Sequence, residues 1–257
     1  MIRQQKLDFD DLIYGIHAVA EALAAGEELR VIHVAQARTK DARLRAVLEQ
    51  AKEQNIRVRF EPRAFFERVP FKAHQGIVAE GSPFPYASLR DLLARKRSDG
   101  SPYLIVALDH LTDPHNVGAV IRTAEAAGAD GVVLPDRRSA GVNATVRKAA
   151  AGAAAHLPIA RVANLADALR VMKKAGLWAV GADPGAQAVD FATCDLNRDL
   201  VLVVGAEGSG LSALIKRECD YLVKLPMRGK VASLNASVAA AVLIYEALRQ
   251  RECSLHP

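Results

Sequence analysis

Residues 200–211 read LVLVVGAEGSGL and join an apolar run to a loop that contains Gly205, Gly208 and Gly210. An uninterrupted apolar run of this length is typical of a strand that is buried on both faces of a parallel sheet. Glycines directly after such a strand let backbone N–H groups come close to a ligand. The segment therefore predicts a parallel α/β sheet with a binding loop at the carboxyl end of one strand.

The spacing of the glycines argues against two common nucleotide sites. The pattern G-x-x-G-x-G differs from the dinucleotide fingerprint, and no acidic residue follows about 20 positions later. The Gly-Lys-Ser/Thr sequence of a phosphate-binding P-loop is absent as well. A merely structural tight turn stays open as an alternative at this point. Glu207 lies inside the loop, where a carboxylate usually has a partner, and Arg122 is our candidate for that partner.

Strands and helices alternate on both sides of this loop. Strands are predicted at 103–109, 130–135, near Ile159, and at 177–183, 200–207 and 221–227. Helices are predicted at Asn116–Ala127, Ala140–Ala154, Leu165–Ala175, Ser212–Glu218 and Leu234–Arg251. This alternation predicts a parallel sheet with helices on both faces.

A smaller α/β unit is predicted ahead of this one. Its elements are a helix over 11–25, a strand at 30–35, an amphipathic helix over Asp41–Gln54, and strands at 56–62 and 75–80. We predict a first domain over 1–81, a linker over 82–100 and a second domain over 101–257. The linker carries prolines, charges and one helix-like segment, and whether that segment packs on a domain stays open.

Composition limits the class of protein. The chain has 257 residues, of which 51% are hydrophobic and 25% charged, as in ordinary globular proteins. No apolar run reaches the roughly 18–20 residues that span a bilayer, and the N-terminus lacks the apolar core of a signal peptide. The cysteines are odd in number and lack metal-ligand spacing. We therefore expect a cytoplasmic protein with reduced thiols, no membrane partner and no metal site.

The net charge of +5 does not decide between nucleic-acid binding and simple solubility. Local basic pairs, such as Arg137 with Arg138, are more informative than the total. Because aromatic residues make up only 5% of the chain, a base-stacking platform is not the expected mode of RNA binding.

A second unusual segment, residues 108–124, reads LDHLTDPHNVGAVIRTA. Its helix carries an apolar face that is formed by Val117, Val120, Ile121 and Ala124. Asn116 and Arg122 fall outside that face, at the strand end where α/β sheets usually bind ligands. The structural alternative makes Asn116 a helix cap and Arg122 a solvated surface residue.

A third segment, residues 225–239, reads LPMRGKVASLNASVA. A strand stops at Pro226, a loop follows, and Ser233 or a neighbour is predicted to cap the last helix. Tight packing of a helix with small residues is the structural alternative. Each of the three segments has such an alternative when it is taken alone.

Together the three segments resemble the signature motifs of the SpoU/TrmH branch of the SPOUT RNA methyltransferases. The matching stretches are NVGAVIRTAEAAGADGVVL, LVVGAEGSGLS and LPMRGKVASLNASVAAAVLIYE, in that order. The resemblance covers essentially all of residues 102–251. The N-terminal part, with YGIHAVAEAL at 14–23 and HQGIVA at 74–79, is similar to the ribosomal-protein-like domain of bacterial 23S rRNA guanosine-2′-O-methyltransferases.

The resemblance implies a fold, a cofactor and an assembly. The fold is α/β, with a small N-terminal α/β RNA-binding domain and a parallel-sheet catalytic domain that ends in a trefoil knot, a recognised exception among proteins. S-adenosyl-L-methionine is expected to bind in the knot. The cofactor-binding residues carried over from the family are Gly205, Leu225, Leu234 and Met227. A homodimer that completes each active site across its interface is also implied, with the last helix as a dimer element.

The resemblance also assigns catalytic roles. Arg122 takes the central one, and Asn116, Glu207, Ser233 and Asn235 arrange the site. A guanidinium stays protonated because its pKa exceeds about 12. A charged Arg122 could therefore hold a substrate phosphate and polarise the ribose 2′-hydroxyl, and the group that accepts the proton is left open.

The implied substrate is a guanosine in 23S, large-subunit rRNA. Two alternatives are kept beside it. The first is a tRNA 2′-O-methyltransferase of the same superfamily. The second is a non-catalytic RNA-binding factor for ribosome assembly, although such a binder has no need of all five candidate catalytic side chains.

Overall fold

The chain divides into two compact units, Met1–Phe84 and Pro85–Pro257, and each has its own sheet. The computed structural model describes residues 12–24, 26, 28–38, 41–69, 74–94, 100–231 and 233–255. Residues 1–11 of the predicted first domain and 95–99 of the predicted linker lie outside the described residues.

The first unit is a four-stranded mixed sheet with three described helices. Its elements are β1 (Leu12–Tyr14), α1 (Ile16–Ala24), β2 (Leu29–Ala35), α2 (Ala42–Glu53), β3 (Arg57–Glu61), α3 (Arg63–Phe66) and β4 (Ile77–Gly81). The strand order is β1-β4-β2-β3. Strand β4 runs antiparallel to both β1 and β2, whereas β2 and β3 are parallel.

The first predicted helix begins later than the sequence pattern indicated. Leu12–Tyr14 form a strand that pairs with β4, and Gly15 then adopts a φ of +92°. Because a positive φ interrupts a right-handed helix, α1 starts only at Ile16. The short helix α3 was not predicted.

The second unit is built on seven strands. In chain order its elements are α4 (Leu89–Ala94), β5 (Leu104–Asp109), α5 (Pro114–Ala126), β6 (Gly131–Pro135), α6 (Ala144–Ala150), β7 (Ile159–Val162), α7 (Leu165–Lys174), β8 (Trp178–Ala182), β9 (Val189–Asp190), β10 (Leu200–Gly205), α8 (Ala213–Glu218), β11 (Tyr221–Lys224) and α9 (Ala236–Leu255). The strand order is β7-β6-β5-β10-β8-β11-β9, and all neighbouring pairs are parallel. The predicted α/β class, with a small first unit and a parallel sheet in the second, is confirmed; the trefoil knot stays a prediction.

The apolar runs form the centre of this sheet. Every residue of β5 and β10 is buried, as expected for strands covered on both faces. Gly205 pairs with Asp109, so these two strands end at the same level. The carboxyl ends of the central strands therefore lie side by side at one edge of the sheet.

Two helix boundaries in this unit differ from their predictions because of local caps. Helix α5 begins at Pro114, where the Asp113 side chain accepts a hydrogen bond from the His115 N–H at 2.9 Å. Helix α6 is shorter than predicted. Asn143 caps its start, and Ala151 ends it with a left-handed φ of +49°.

Part of the predicted linker packs on the second unit. Leu92 of α4 is fully buried in a core cluster of that unit. The Tyr103 hydroxyl donates a hydrogen bond of 2.6 Å to the Leu92 carbonyl. Gly131 lies against the same side chain, since a Cβ there would be 2.2 Å from Leu92 Cδ1.

Candidate active site

A cavity opens at the carboxyl ends of β8, β10 and β11. Its empty space is about 710 Å³, with the open mouth included, which is within the range of small-molecule sites. All four predicted cofactor residues, Gly205, Leu225, Met227 and Leu234, line it. Three distant parts of the sequence thus meet at one cavity.

The lining fits a ligand with a flat apolar part. Val204, Leu225, Met227 and Leu234 supply apolar surface, and the glycine loop supplies exposed backbone. An adenine group asks for such apolar walls and a few backbone hydrogen bonds. The residues present therefore suit S-adenosylmethionine.

Gly205 is required by the loop itself. A Cβ at this position would lie 2.2 Å from the carbonyl carbon of Gly210 and 2.5 Å from the Leu211 nitrogen. The expectation that a side chain here would fill the space of the ligand is therefore wrong in its reason. The glycine allows the chain to turn back on the end of β10, and this turn shapes the cavity.

The loop places Glu207 beside two amide side chains from the other motifs. Oε1 of Glu207 accepts a hydrogen bond from Nδ2 of Asn116 at 3.0 Å and another from Nδ2 of Asn235. Asn235 also donates to Oδ1 of Asn116 at 3.0 Å, and the Ala236 N–H lies 3.4 Å from Glu207 Oε1. The three side chains form one polar cluster, which we call the Asn116–Glu207–Asn235 cluster.

Each member of the cluster is held by its element. Asn116 lies in the first turn of α5 and is 6% exposed, so its amide is fixed in position. Glu207 sits in a loop whose Gly208 and Gly210 take φ values of +76° and +64°. Asn235 precedes α9, and its Oδ1 accepts hydrogen bonds from the N–H groups of Ser237 and Val238 at 2.9 and 3.3 Å.

The capping roles are thereby assigned. Asn235 caps the last helix, as the prediction of Ser233 or a neighbour allowed, while Ser233 lines the cavity. Asn116 is not the cap of α5, because Asp113 is. The structural alternative for Asn116 is therefore wrong.

The predicted pairing of Arg122 with Glu207 is wrong as well. Arg122 is exposed, and it bonds to none of the side chains in the described part of the chain. It follows Asn116 by six residues, which turns it about 240° around the axis of α5. The two side chains therefore leave the helix on different sides.

Two buried aspartates at this edge were not predicted. Asp109 is 1% exposed, and its Oδ2 accepts a hydrogen bond from the Ser212 N–H at 2.7 Å. Asp183 lines the cavity at 6% exposure, and its Oδ1 lies 2.6 Å from Nζ of Lys216. Both follow apolar strands directly, in LIVALD and WAVGAD, and that position was the available signal.

Thiolate chemistry does not fit this region at neutral pH. Burial, together with the nearby Asp220 carboxylate, raises the pKa of the Cys219 thiol to about 12. Burial also raises the pKa of Cys194. Within the described ranges, no group of three His, Cys, Asp or Glu side chains could hold a metal ion. None of the described helices is both long and apolar enough to cross a membrane.

The fold and site define a class of enzyme that comparison with known families identifies. Residues 103–245 match the SpoU rRNA methylase family, and residues 12–87 match a family described as RNA 2′-O ribose methyltransferase substrate binding. The chain belongs to the SpoU rRNA methylase family and is an RNA methyltransferase.

Individual relatives agree with this assignment. A TrmH family tRNA/rRNA methyltransferase of Bacillus subtilis (strain 168), YacO, is 45% identical over 242 residues, which cover 94% of this chain and 96% of that protein. The S-adenosylmethionine-bound rRNA methyltransferase of Sinorhizobium meliloti has a TM-score of 0.65 and 28% identity, and covers 93% of this chain and 86% of its own. AviRb, a SpoU methyltransferase of Streptomyces viridochromogenes in complex with S-adenosylmethionine, has a TM-score of 0.63 and 27% identity, with coverages of 94% and 90%.

Proposed function

We propose that this enzyme transfers the methyl group of S-adenosylmethionine to the ribose 2′-hydroxyl of a guanosine in 23S, large-subunit rRNA. The observation that carries the proposal is the Asn116–Glu207–Asn235 cluster beside the cavity. It joins one polar residue from each of the three motif segments. Such an arrangement suits a reaction that depends on positioning one hydroxyl against one methyl group.

Two observations favour rRNA over tRNA. The rRNA methyltransferase of Sinorhizobium meliloti aligns with 93% of this chain, both units included. A TrmH/SpoU tRNA modifying enzyme of A. aeolicus aligns with only 65%, at a TM-score of 0.55 and 32% identity. A tRNA substrate is the second candidate, since YacO is named for both kinds of RNA.

The cofactor-binding residues are Gly205, Leu225, Met227 and Leu234. When bound, S-adenosylmethionine supplies an electrophilic methyl group on a sulfonium. The apolar side chains hold its adenine, and the glycine loop provides backbone contacts. We place this site within the predicted trefoil knot.

The polar cluster prepares the attacking hydroxyl. Oε1 of Glu207 is occupied by the amides of Asn116 and Asn235, and no described residue donates to Oε2. Oε2 is therefore available to accept a hydrogen bond from the ribose 2′-hydroxyl and to orient its oxygen toward the methyl group. Ser233, at the rim of the cavity, contacts the same nucleotide.

Arg122 acts on the substrate from outside the cluster. Its guanidinium is exposed and has no partner among the described residues, so it is available to a phosphate. A planar, permanently charged guanidinium binds a phosphate in two-pronged fashion. It would fix the nucleotide and stabilise charge that develops at the 2′-oxygen.

The enzyme acts as a homodimer. Val238, Val242 and Tyr245 form an apolar stripe on α9 with exposures of 48%, 38% and 49%. Their spacing puts them on one side of the helix, and a second subunit would cover them. Helix α5, which carries Arg122, packs against α9, so this interface brings Arg122 toward the partner's site.

Comparison of rRNA from cells with and without this gene tests the function. Mapping of 2′-O-methylated positions should find one guanosine in large-subunit rRNA that loses its methyl group in the deletion strain. Restoration by the wild-type gene, but not by a Glu207→Ala gene, links the loss to the proposed site. An unchanged rRNA map with a methyl group lost from tRNA would favour the second candidate.

A further inference from the structure

A basic loop lies beside the site and has no role in the function described so far. Residues 136–143 connect β6 to α6, and Arg137 and Arg138 are exposed within it. We propose that this pair binds a backbone phosphate of the RNA substrate next to the methylated nucleotide. The inference rests on the proposed function and deepens it by naming a contact surface for RNA.

The loop starts at the level of the active site. Gly205 of the cavity pairs with Asp109 across β10 and β5. Ala107 pairs with Val133 across β5 and β6, so β6 ends level with β5. Two strand spacings therefore separate the glycine loop from the start of the basic loop, or about 10 Å. An RNA strand whose ribose lies at the cavity can reach both.

Hydrogen bonds hold the far half of the loop in place. The Ala140 N–H and the Ser139 hydroxyl both donate to the Leu111 carbonyl, at 2.9 and 3.2 Å. The Val142 N–H donates to the Tyr86 hydroxyl oxygen at 2.7 Å. Because Leu111 lies between β5 and α5, the basic loop is fastened to the segment that leads to Asn116.

The near half of the loop is held by Arg161. Its Nε lies 2.9 Å from the Asp136 carboxylate, and its guanidinium also donates to the Asp136 carbonyl at 3.2 Å. The same guanidinium stacks over the ring of Tyr86 at 5.4 Å from the centroid. Asp136, the acidic residue next to the pair, is thus neutralised by Arg161 and leaves Arg137 and Arg138 uncompensated.

The two arginines are presented without partners. Neither makes a hydrogen bond or ion pair with the described residues, and both side chains are exposed. Arg138 has a φ of +57°, a left-handed conformation that is unfavourable for a residue with a Cβ. A loop fixed on both sides keeps this conformation, so both cations are pre-positioned rather than mobile.

Phosphate is the ligand that fits this surface. Exposed arginines bind phosphate oxygens through paired N–H groups, and such contacts fix the register of a nucleic acid without reading its sequence. The described ends of the loop are closed by bonds within the protein, so the pair offers charge and little apolar surface. We therefore expect a contribution to RNA binding and none to cofactor binding.

The test removes both charges while it keeps the shape of the loop. Arg137→Gln keeps much of the side-chain length, and Arg138→Asn is chosen because asparagine tolerates the left-handed region. The matched control, Lys174→Gln with Arg217→Gln, removes two exposed cations near the C-terminal ends of α7 and α8. Those helix ends lie at the opposite edge of the parallel sheet.

Steady-state kinetics are measured with unmodified large-subunit rRNA transcribed in vitro, at several salt concentrations. We expect the Arg137→Gln/Arg138→Asn enzyme to have a KM for RNA about tenfold higher, with kcat within about twofold of wild type. The slope of log KM against log salt should fall by about 1.4, since each lost phosphate contact on single-stranded RNA removes about 0.7. S-adenosylmethionine affinity by calorimetry, and all parameters of the control enzyme, should stay unchanged.

Other outcomes would contradict the inference. A wild-type KM and salt slope in the loop variant, with the wild-type enzyme active, would overturn the phosphate contact and leave the proposed function intact. A fall in kcat at constant KM would also overturn it, because the loop would then act on the chemistry. Failure of the wild-type enzyme to methylate this RNA would overturn the proposed function and the inference with it.

Discussion

Asn235 performs two tasks with different atoms of one side chain. Its Oδ1 accepts the hydrogen bonds that start α9, and its Nδ2 donates to Asn116 and Glu207. The first task is structural and the second belongs to the active site. A substitution that keeps an acceptor oxygen but removes the amide N–H can therefore separate them.

Asn235→Ser should be nearly as stable as wild type and nearly inactive. Serine is as good a helix cap as asparagine, so the free energy of unfolding should change by less than about 0.5 kcal/mol. Loss of the Nδ2 donor frees Glu207 from one of its anchors, and misplacement of this kind costs about 100-fold in rate. Asn235→Ala, the control, should lose the cap as well, at about 1 kcal/mol by urea unfolding. A wild-type rate of methyl transfer in Asn235→Ser would contradict the role of the cluster.

Arg122→Ala should abolish methyl transfer without loss of cofactor affinity. Arg122 bonds to none of the described residues, so its removal should change unfolding by less than about 0.5 kcal/mol. Arg122→Lys should fail too, because an ammonium cannot copy the planar fork of a guanidinium. Single-turnover rates and calorimetry with S-adenosylmethionine are the measurements. A lysine variant within a few-fold of the wild-type rate would show that charge alone is needed there.

At the scale of elements, the loop after β10 depends on Gly205 for its shape. Gly205→Ala should force the backbone of Gly210 to move, since the added Cβ would lie 2.4 Å from the Gly210 carbonyl oxygen. We expect a loss of about 1–3 kcal/mol in unfolding free energy, as for other overpacked sites, together with weaker S-adenosylmethionine binding. Gly229→Ala is the control, because a Cβ there meets no atom within 4 Å. Equal stability and affinity in both variants would contradict the tight turn.

Strands with continuous apolar runs could be predicted from the sequence. The runs at β5 and β10 exceed any local ambiguity, and both strands lie in the predicted positions. Boundaries failed where one residue decides them, as at Gly15, where a positive φ separates β1 from α1. The two-residue strand β9 carries too few residues to form a pattern, and its pairing with β11 depends on the tertiary fold.

The partner of Glu207 could not be predicted, because it depends on how distant segments meet. Local sequence suggested that the carboxylate would pair with a cation, and Arg122 was the nearest candidate among the motifs. The sheet order places β10 beside β5, which brings the first turn of α5, and not its later turns, next to Glu207. Two amides took the place expected for the guanidinium.

At the scale of the molecule, the second unit includes α4 from the predicted linker. A chain of residues 85–257 keeps Leu92 in its core and should fold and bind S-adenosylmethionine. A chain of residues 101–257 loses Leu92 and leaves the Tyr103 hydroxyl without the Leu92 carbonyl. It should be at least about 2 kcal/mol less stable, as for the loss of a large buried side chain. Equal urea midpoints for the two chains would contradict the assignment of α4 to this unit.

The prediction of an S-adenosylmethionine-dependent RNA methyltransferase is confirmed by the family match and by the cofactor-bound neighbours. Three motifs that are each ambiguous became specific in combination, because only one family arranges them in that order. The position of the methyl group on the RNA stays a prediction. It depends on how the first unit and the basic loop hold the substrate.

The most direct test of the account is methylation in vitro of competing RNAs. The purified full-length protein is incubated with methyl-labelled S-adenosylmethionine and a mixture of unmodified large-subunit rRNA and tRNA. The RNAs are then separated and digested to nucleosides. We predict that the label appears in 2′-O-methylguanosine from the large-subunit rRNA, and that Glu207→Ala abolishes it. Label on a base, or in tRNA with none in rRNA, would contradict the central claim.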